Sequence, residues 1–193
     1  MAPELYCAYQ SPLGGIVLRS DGAALTGLRF MQANENCSIQ QNNADMPVFG
    51  LSIKWLDAYF GGRGQGSLPP LAPHGTAFQR EVWAVLLTVP YGETVTYGAL
   101  AAQIAAARGL PRMSAQAIGQ EAAKNPILLM IPCHRLIGAD GALTGYAGGV
   151  ARKERLLLAE RDAAKKETDY GDRSAEAILG GGGAESPHHR LEF

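Results

Sequence analysis

Residues 114–138 read SAQAIGQEAAKNPILLMIPCHRLIG, and how this stretch folds decides the architecture. Ser114 is a good helix cap, and the Ala/Gln/Glu run behind it is helix-forming up to Asn125-Pro126, where the proline disfavours further helix. The apolar run ILLMIP then predicts a buried strand, and RLIG a second one. Between them Pro132 is followed by a thiol, an imidazole and a guanidinium: Cys133, His134 and Arg135.

Upstream, Thr76 with Gln79 forms a capping-box pattern that opens a helix through Phe78, Val82, Trp83, Leu86 and Leu87. VPYGE turns the chain, Tyr97 begins an Ala-rich helix, and Pro111 breaks it. Two short helices around a turn predict helix-turn-helix geometry. The second helix has almost no large side chains, which by itself reads as close packing on a neighbour. Downstream, Asp140-Gly141 makes a turn and TGYAGG a flexible loop. VARKERLLLAE (150–160) then forms an amphipathic helix with Val150, Leu156 and Leu157 on its apolar side.

The N-terminal third has a different texture. ELYCAYQ, GGIVLRS and ALTGLRF read as three strands, with Asp21-Gly22 as a hairpin turn. Beyond a polar stretch (32–45), Leu51, Trp55, Leu56 and Tyr59 fall at helical spacing before Gly61-Gly62. The expected α/β (α+β) chain therefore has an N-terminal domain over 1–60, a three-stranded sheet plus helix, and a Gly/Pro-rich linker over 61–75. A helical C-terminal domain of winged helix-turn-helix type over 76–162 carries the cysteine, and a charged, Gly-rich tail over 163–193 is expected to be disordered.

With 193 residues, 47% of them hydrophobic, the chain is long enough to bury a core, and a formal charge of −1 gives no basic field to favour nucleic acid. Arg80, Arg108, Arg112, Lys124 and Arg152 are candidates for a local basic rim. The N-terminus has no export signal, no run is apolar enough to span a membrane, and the expected location is the cytoplasm. Three widely spaced cysteines (Cys7, Cys37, Cys133) give neither a disulfide framework nor zinc-ligand spacing. No metal and no cofactor are expected; His188-His189 reads as part of a solvated tail.

Cysteine is the strongest nucleophile available near neutral pH once a base or local positive charge makes thiolate. His134 is adjacent to Cys133, and Glu160 is a candidate to orient the imidazole, which is Cys-His-acid logic. The dipeptide alone also fits a buried structural cysteine beside a surface histidine.

IPCHRLIG, with KNP upstream and GYAGG downstream, resembles the active-site signature of the O6-alkylguanine-DNA alkyltransferases (methylated-DNA–protein cysteine methyltransferases). The resemblance extends through GTAFQREVW, VPYGETVTYGALA, SAQAIGQ and RKERLLLAE, covering 75–160, and more loosely to SPLGGIVLRSDGAALTGLRF. It implies repair of double-stranded DNA containing O6-alkylguanine, with O4-alkylthymine as a second candidate substrate, by a monomer that acts once. Cys133 is implied as nucleophile and alkyl acceptor, His134 as proton relay through a water, Glu160 as its partner, and Tyr97 as stabiliser of the leaving base at N3. Asn125 matches the family's hinge. Leu136, Tyr146, Ala147 and Gly148 are implied to wall the pocket, with Tyr146 offering a stacking face and Ala147 a backbone N–H.

The target atom lies inside the duplex, so the nucleotide must be flipped out. The resemblance places the second helix in the minor groove, which gives its small side chains a second use. DNA contacts are implied for Tyr97, Ser114, Ala115, Gln116, Gly119 and Arg135, although Arg135 otherwise reads as mainly structural, pairing with an acid or carbonyls. At Gln116 many members carry an arginine that fills the gap left by the base. The rival readings are a lesion-binding protein without transfer, which would lack Cys133, a cysteine hydrolase, and a transcription regulator.

Overall fold

Cys7, Ile16, Leu18, Leu28 and Phe30 recur at alternate positions of their strands and share one core with Phe49, Trp55, Leu56 and Tyr59 of the following helix. That pattern sets the N-terminal half of the computed structural model, which describes residues 4–32, 35, 45–63 and 66–180. Strands β1 (Leu5–Ser11), β2 (Gly14–Ser20) and β3 (Leu25–Phe30) form an antiparallel meander in that order. Leu18 stands opposite both Cys7 and Leu28. At the Asp21-Gly22 turn the Asp21 carboxylate accepts the Ala23 and Ala24 amides, each at 2.9 Å. Helix α1 (Pro47–Phe60) begins with proline at its first position and ends at Gly61.

The free edge of β3 is where the two halves of the chain join. Leu25 donates to Pro70 O (2.8 Å) and accepts from Ala72 N (2.8 Å), so the Gly/Pro-rich connection is docked on the sheet there. Three residues further on, Leu28 donates to Pro126 O (2.9 Å) and accepts from Leu128 N (2.9 Å). Both bridges are parallel, and together they cover an edge that would otherwise present unpaired backbone.

The helical half follows its caps. Thr76 and Gln79 complete the reciprocal box at the start of α2 (Ala77–Leu86). After the two-residue strand β4 (Val95–Thr96), Thr96 caps α3 (Tyr97–Ala107), and Ser114 caps α4 (Ala115–Ala123). The Trp83 indole donates to Glu121 O at 3.1 Å and fixes α2 against α4.

Three expectations fail here. ILLMIP is buried but is not a strand: only Ile127 makes a ladder contact, the rest turns, and Leu129 adopts a left-handed φ of 68°. A short apolar run records burial without recording conformation. Of RLIG only Leu136–Ile137 is strand (β5), pairing in parallel with β4. The last helix, α5 (Val150–Gly180), continues far past residue 162, so residues 163–180 are helical. Its Ala-, Lys- and Glu-rich sequence has the propensity to continue a started helix. Residues 181–193, including His188 and His189, and also Cys37, lie outside the described residues. The buried face of α5 is Lys153, Leu156, Ala159, Glu160 and Ala163, whereas Val150 is 46% exposed. Among the described residues no helix is long and apolar enough to cross a membrane.

If the edge pairing holds the two halves as one unit, the amides of Leu28 and Leu128 exchange with solvent together and at the rate of the strand core. That is slower than an open chain by about a thousandfold or more, the protection that a few kcal/mol of stability confers. Amide hydrogen exchange by NMR checks this. Fast exchange at Leu128 beside slow exchange at Leu18 would mean that the halves part readily.

Candidate active site

Asn125 organises the turn that replaces the expected strand. Its side-chain amide donates to Ile131 O (2.8 Å) and to Cys133 Sγ (3.2 Å), while its Oδ1 accepts from Ile127 N (2.9 Å). One buried side chain thus closes the loop over 125–133 around itself. From Pro132 the chain enters a single 3-10 turn, Cys133–Arg135, with Arg135 N bonded to Pro132 O at 2.9 Å. Cys133, His134 and Arg135 are all buried at its core.

Glu160 of α5 lies under this turn. Its Oε1 meets His134 Nε2 (2.8 Å), Tyr59 Oη (2.6 Å) and Arg135 Nη2 (3.0 Å); Oε2 accepts from Arg135 Nε (2.8 Å) and Gly92 N (3.2 Å). Burial alone would raise this carboxyl, but the His134 and Arg135 contacts outweigh it and hold it down at about 2. An ionised carboxylate only accepts, so His134 Nε2 carries the hydrogen and Nδ1 is left with its lone pair. Among the described residues Nδ1 has no hydrogen-bond partner. Burial also holds the imidazole below its ordinary pKa of 6.5, against the pull of Glu160, so at neutral pH it is an uncharged base.

Burial pushes the Cys133 thiol up to about 11, opposed by the Asn125 hydrogen bond and by the charge of Lys153. At rest the residue is a thiol, and thiolate forms only when a neighbour takes its proton. The buried charges around it favour a negative sulfur. Glu160 contributes one negative charge and Arg135 and Lys153 two positive ones, so one positive charge is left over beside the thiol. Lys153 is fully buried, its Nζ donating to Thr144 O at 2.8 Å and standing 5.9 Å from the Tyr97 ring.

Tyr97 opens α3 and its hydroxyl donates to that same Thr144 carbonyl (3.0 Å), which ties it to the 144–149 loop. Gly119 of α4 packs on the Tyr97 ring so closely that a Cβ there would sit 3.3 Å from it. In the loop, Tyr146 is 8% exposed, its ring edge-on to His134 at 6.1 Å between centroids, and its hydroxyl is buried without a partner among the described residues. Ala147 is exposed; Gly148 and Leu136 are buried. Arg152 pins the loop, donating to Gly148 O (3.0 Å) and Leu13 O (2.9 Å) with its guanidinium over the Phe30 ring.

Cys133, His134, Glu160, Tyr97, Asn125, Leu136 and Tyr146 therefore converge on one place. Ser114, Ala115 and Gln116 lie on the exposed face of α4, with Ile118 and Ala122 on its buried face, so the small residues serve contact on one side and exposure on the other. Arg135 has to be removed from the DNA contacts. It is 1% exposed, and Glu160 together with Val89 O (2.7 Å) consumes its guanidinium. Of the candidate basic rim, Arg108 is paired with Glu81 and Lys124 with Glu121 (2.9 Å). The sequence pointed to neither Tyr59 nor Lys153. Lys153 falls on the Leu156/Glu160 face of α5, a charged residue on a buried stripe, and that was the available signal.

The chain matches two family models: "6-O-methylguanine DNA methyltransferase, ribonuclease-like domain" over residues 5–68 and "6-O-methylguanine DNA methyltransferase, DNA binding domain" over 77–162. It is 42% identical over 159 residues to a methylated-DNA–protein-cysteine methyltransferase of Mycobacterium tuberculosis, covering 82% of this chain and 93% of the relative. A relative of the same name from Methanosarcina acetivorans is 40% identical over 156 residues, covering 80% and 97%. Among solved structures, the M. tuberculosis O6-methylguanine methyltransferase superposes with a TM-score of 0.70 at 40% identity, over 83% of this chain and 94% of that one. The M. tuberculosis OGT in complex with DNA also superposes at 0.70, with 40% identity over 82% and 93%.

Substituting Asn125→Ala removes all three of its side-chain bonds and leaves the buried Ile127 N–H without its acceptor. The expected cost is about 3 kcal/mol, measured by urea unfolding. With its amide donor gone, Cys133 Sγ titrates still higher, so a small alkylating reagent labels it more slowly at fixed pH. Unchanged stability and labelling would show that the turn holds without Asn125.

Proposed function

The chain belongs to the methylated-DNA–protein-cysteine methyltransferase family, and from that premise we propose how its residues carry out the transfer. The protein repairs DNA by moving an alkyl group from the nucleic acid to a cysteine of its own, and Cys133 is that acceptor in our reading. The observation that carries the assignment is the buried Cys133–His134–Glu160 arrangement, with Nδ1 of His134 unpaired and one positive charge in excess around the thiol.

The substrate is O6-alkylguanine in duplex DNA, turned out of the stack into the pocket beneath the 144–149 loop. Cys133 gives its proton to His134 Nδ1, directly or through one water, and the thiolate attacks the alkyl carbon on O6. The S–C bond forms as the C–O bond breaks, and the bonding pair leaves with the base. The proton taken from the thiol ends on the guanine ring, so the products are a thioether and normal guanine. Tyr97 helps the base leave by turning its hydroxyl from Thr144 O to the guanine edge, while Lys153 keeps Thr144 O occupied. The thioether has no acidic proton and no leaving tendency, so one molecule repairs one lesion.

Incubation with O6-methylguanine DNA is expected to leave one methyl per protein molecule, on the peptide containing Cys133 and on neither Cys7 nor Cys37. Intact-mass and peptide mass spectrometry read this. Label elsewhere, or turnover beyond one equivalent, overturns the assignment.

Gln116 takes the place of the departed base in this reading. Stacking and pairing lost on flipping amount to a few kcal/mol, and the exposed Gln116 side chain on α4 offsets part of that. Gln116→Ala is expected to slow repair of duplex DNA about tenfold while sparing the free base O6-benzylguanine, and Gln116→Arg to speed the duplex reaction, a factor worth about 1.4 kcal/mol. Equal effects on both substrates, or none on duplex, assign the role elsewhere, with Arg112 in the turn between α3 and α4 as the alternative.

A further inference from the structure

Four of the five donors on the Glu160 carboxylate come from the C-terminal half: His134, two from Arg135, and Gly92. The fifth, Tyr59, comes from α1, 101 residues away in sequence, and at 2.6 Å its bond is the shortest of the set. Its ring is stacked on Trp55 (centroids 5.1 Å, 13° between planes) and edge-on to Phe60 (5.2 Å) and Tyr91 (5.9 Å), so the hydroxyl has one direction to point. Burial, and then the facing carboxylate, keep its phenol protonated well above the ordinary value, which makes it a permanent donor.

We propose that Tyr59 is a positioning residue through which the N-terminal domain sets how strongly His134 holds the proton taken from Cys133. The inference rests on the Cys133–His134–Glu160 reading above. Tyr59 and His134 share one oxygen, Oε1. Each donor on an anionic oxygen withdraws charge from the others, so the Tyr59 hydrogen bond weakens the grip of Oε1 on the imidazole N–H. The groups facing His134 and Glu160 are Tyr59 from α1, Tyr91 from the turn before β4, Cys133 and Arg135 from the 3-10 turn, Tyr146 from the loop and Lys153 from α5. Of these, Tyr59 alone is both on the N-terminal half and bonded to the oxygen that His134 uses. The domain that supplies no reacting atom thereby tunes the base.

The sign follows from the shared oxygen. Losing the phenol leaves Oε1 a better acceptor, and the imidazolium becomes more stable. His134 must be neutral to accept a proton, so the acidic limb of the transfer profile moves to higher pH. The plateau rises, because proton transfer from the thiol is then more favourable. A residue that only supported the fold would lower the plateau and leave the limb in place.

The test is the pH profile of transfer from free O6-benzylguanine, comparing the unaltered protein with Tyr59→Phe and with 3-fluorotyrosine at position 59. The fluorinated phenol is nearly isosteric and a stronger donor. In Tyr59→Phe the acidic midpoint is expected to rise by about half to one pH unit and the plateau about three- to tenfold, the change expected for a hydrogen bond to a charged group. With 3-fluorotyrosine both shift the opposite way. If Tyr59→Phe does not fold, the fluorinated protein decides alone. A midpoint unmoved in the folded variants overturns the proposal, whatever happens to the amplitude. Nitrogen NMR of the His134 ring in the same proteins follows the same shift without any transfer. A failure of the Cys133 assignment would therefore show in the mass spectrum, and a failure of the Tyr59 proposal in the ring titration.

Discussion

A single buried carboxylate ties this protein together. Glu160 carries a charge with almost no solvent, a situation that is unfavourable unless every lone pair is met. Its five donors come from α1, from the turn at Gly92, and from the 3-10 turn that presents Cys133, while the acid itself sits on α5. Satisfying it therefore brings four separate segments to fixed positions. Gly92 shows how tight this is: it has a φ of 79°, and a Cβ there would sit 2.7 Å from Ala164 and 3.2 Å from Glu160 O. The backbone amide reaches the carboxylate only because no side chain stands between the turn and the helix.

The same economy governs the thiol. A permanently ionised cysteine would be exposed to every electrophile, and burial prevents that by keeping Cys133 protonated. Burial without compensation would also make the reaction unattainable. Lys153 and Arg135 against Glu160 leave one positive charge unbalanced within the core, and in the proposed reaction that charge would stabilise the thiolate. Asn125 adds a donor to sulfur while holding the turn that carries it. Geometry and electrostatics here depend on the same few side chains.

The sequence was legible where local rules act. β-rich runs around the Asp21-Gly22 turn marked the three strands, and Thr76 and Ser114, read as caps, do cap the helices they precede. Cys133, His134 and Glu160 were singled out from their motif, and the structure pairs His134 with Glu160 and places Cys133 on the same buried turn as His134. ILLMIP misled because Ile127 to Ile131 are buried by a turn wound around Asn125, and burial by a polar side chain six residues away leaves no periodic trace. The helical continuation beyond residue 162 was missed because charge was read as disorder, although charged residues with high helix propensity extend an established helix at little cost. Tyr59 was read only as part of a helical apolar stripe. Its hydroxyl acquires meaning from a partner 101 residues away, which no window along the chain contains.

The near-neutral charge gives no basic field to favour nucleic acid, and several of the cations that the chain does carry are occupied within the fold. Arg135 and Lys153 are inside the protein, Arg108 and Lys124 are paired with Glu81 and Glu121, and Arg152 is spent on carbonyls of the reactive loop and the β1–β2 turn. These five cations build the site and brace its surroundings, while Arg80 and Arg112 of the candidate rim stay exposed. With a net charge of −1 the long-range attraction to DNA is weak, and in the proposed reading binding comes from short-range fit at the exposed face of α4 and the 144–149 loop. In that reading undamaged DNA is released quickly, because only a lesion turned out of the stack engages the full set of contacts.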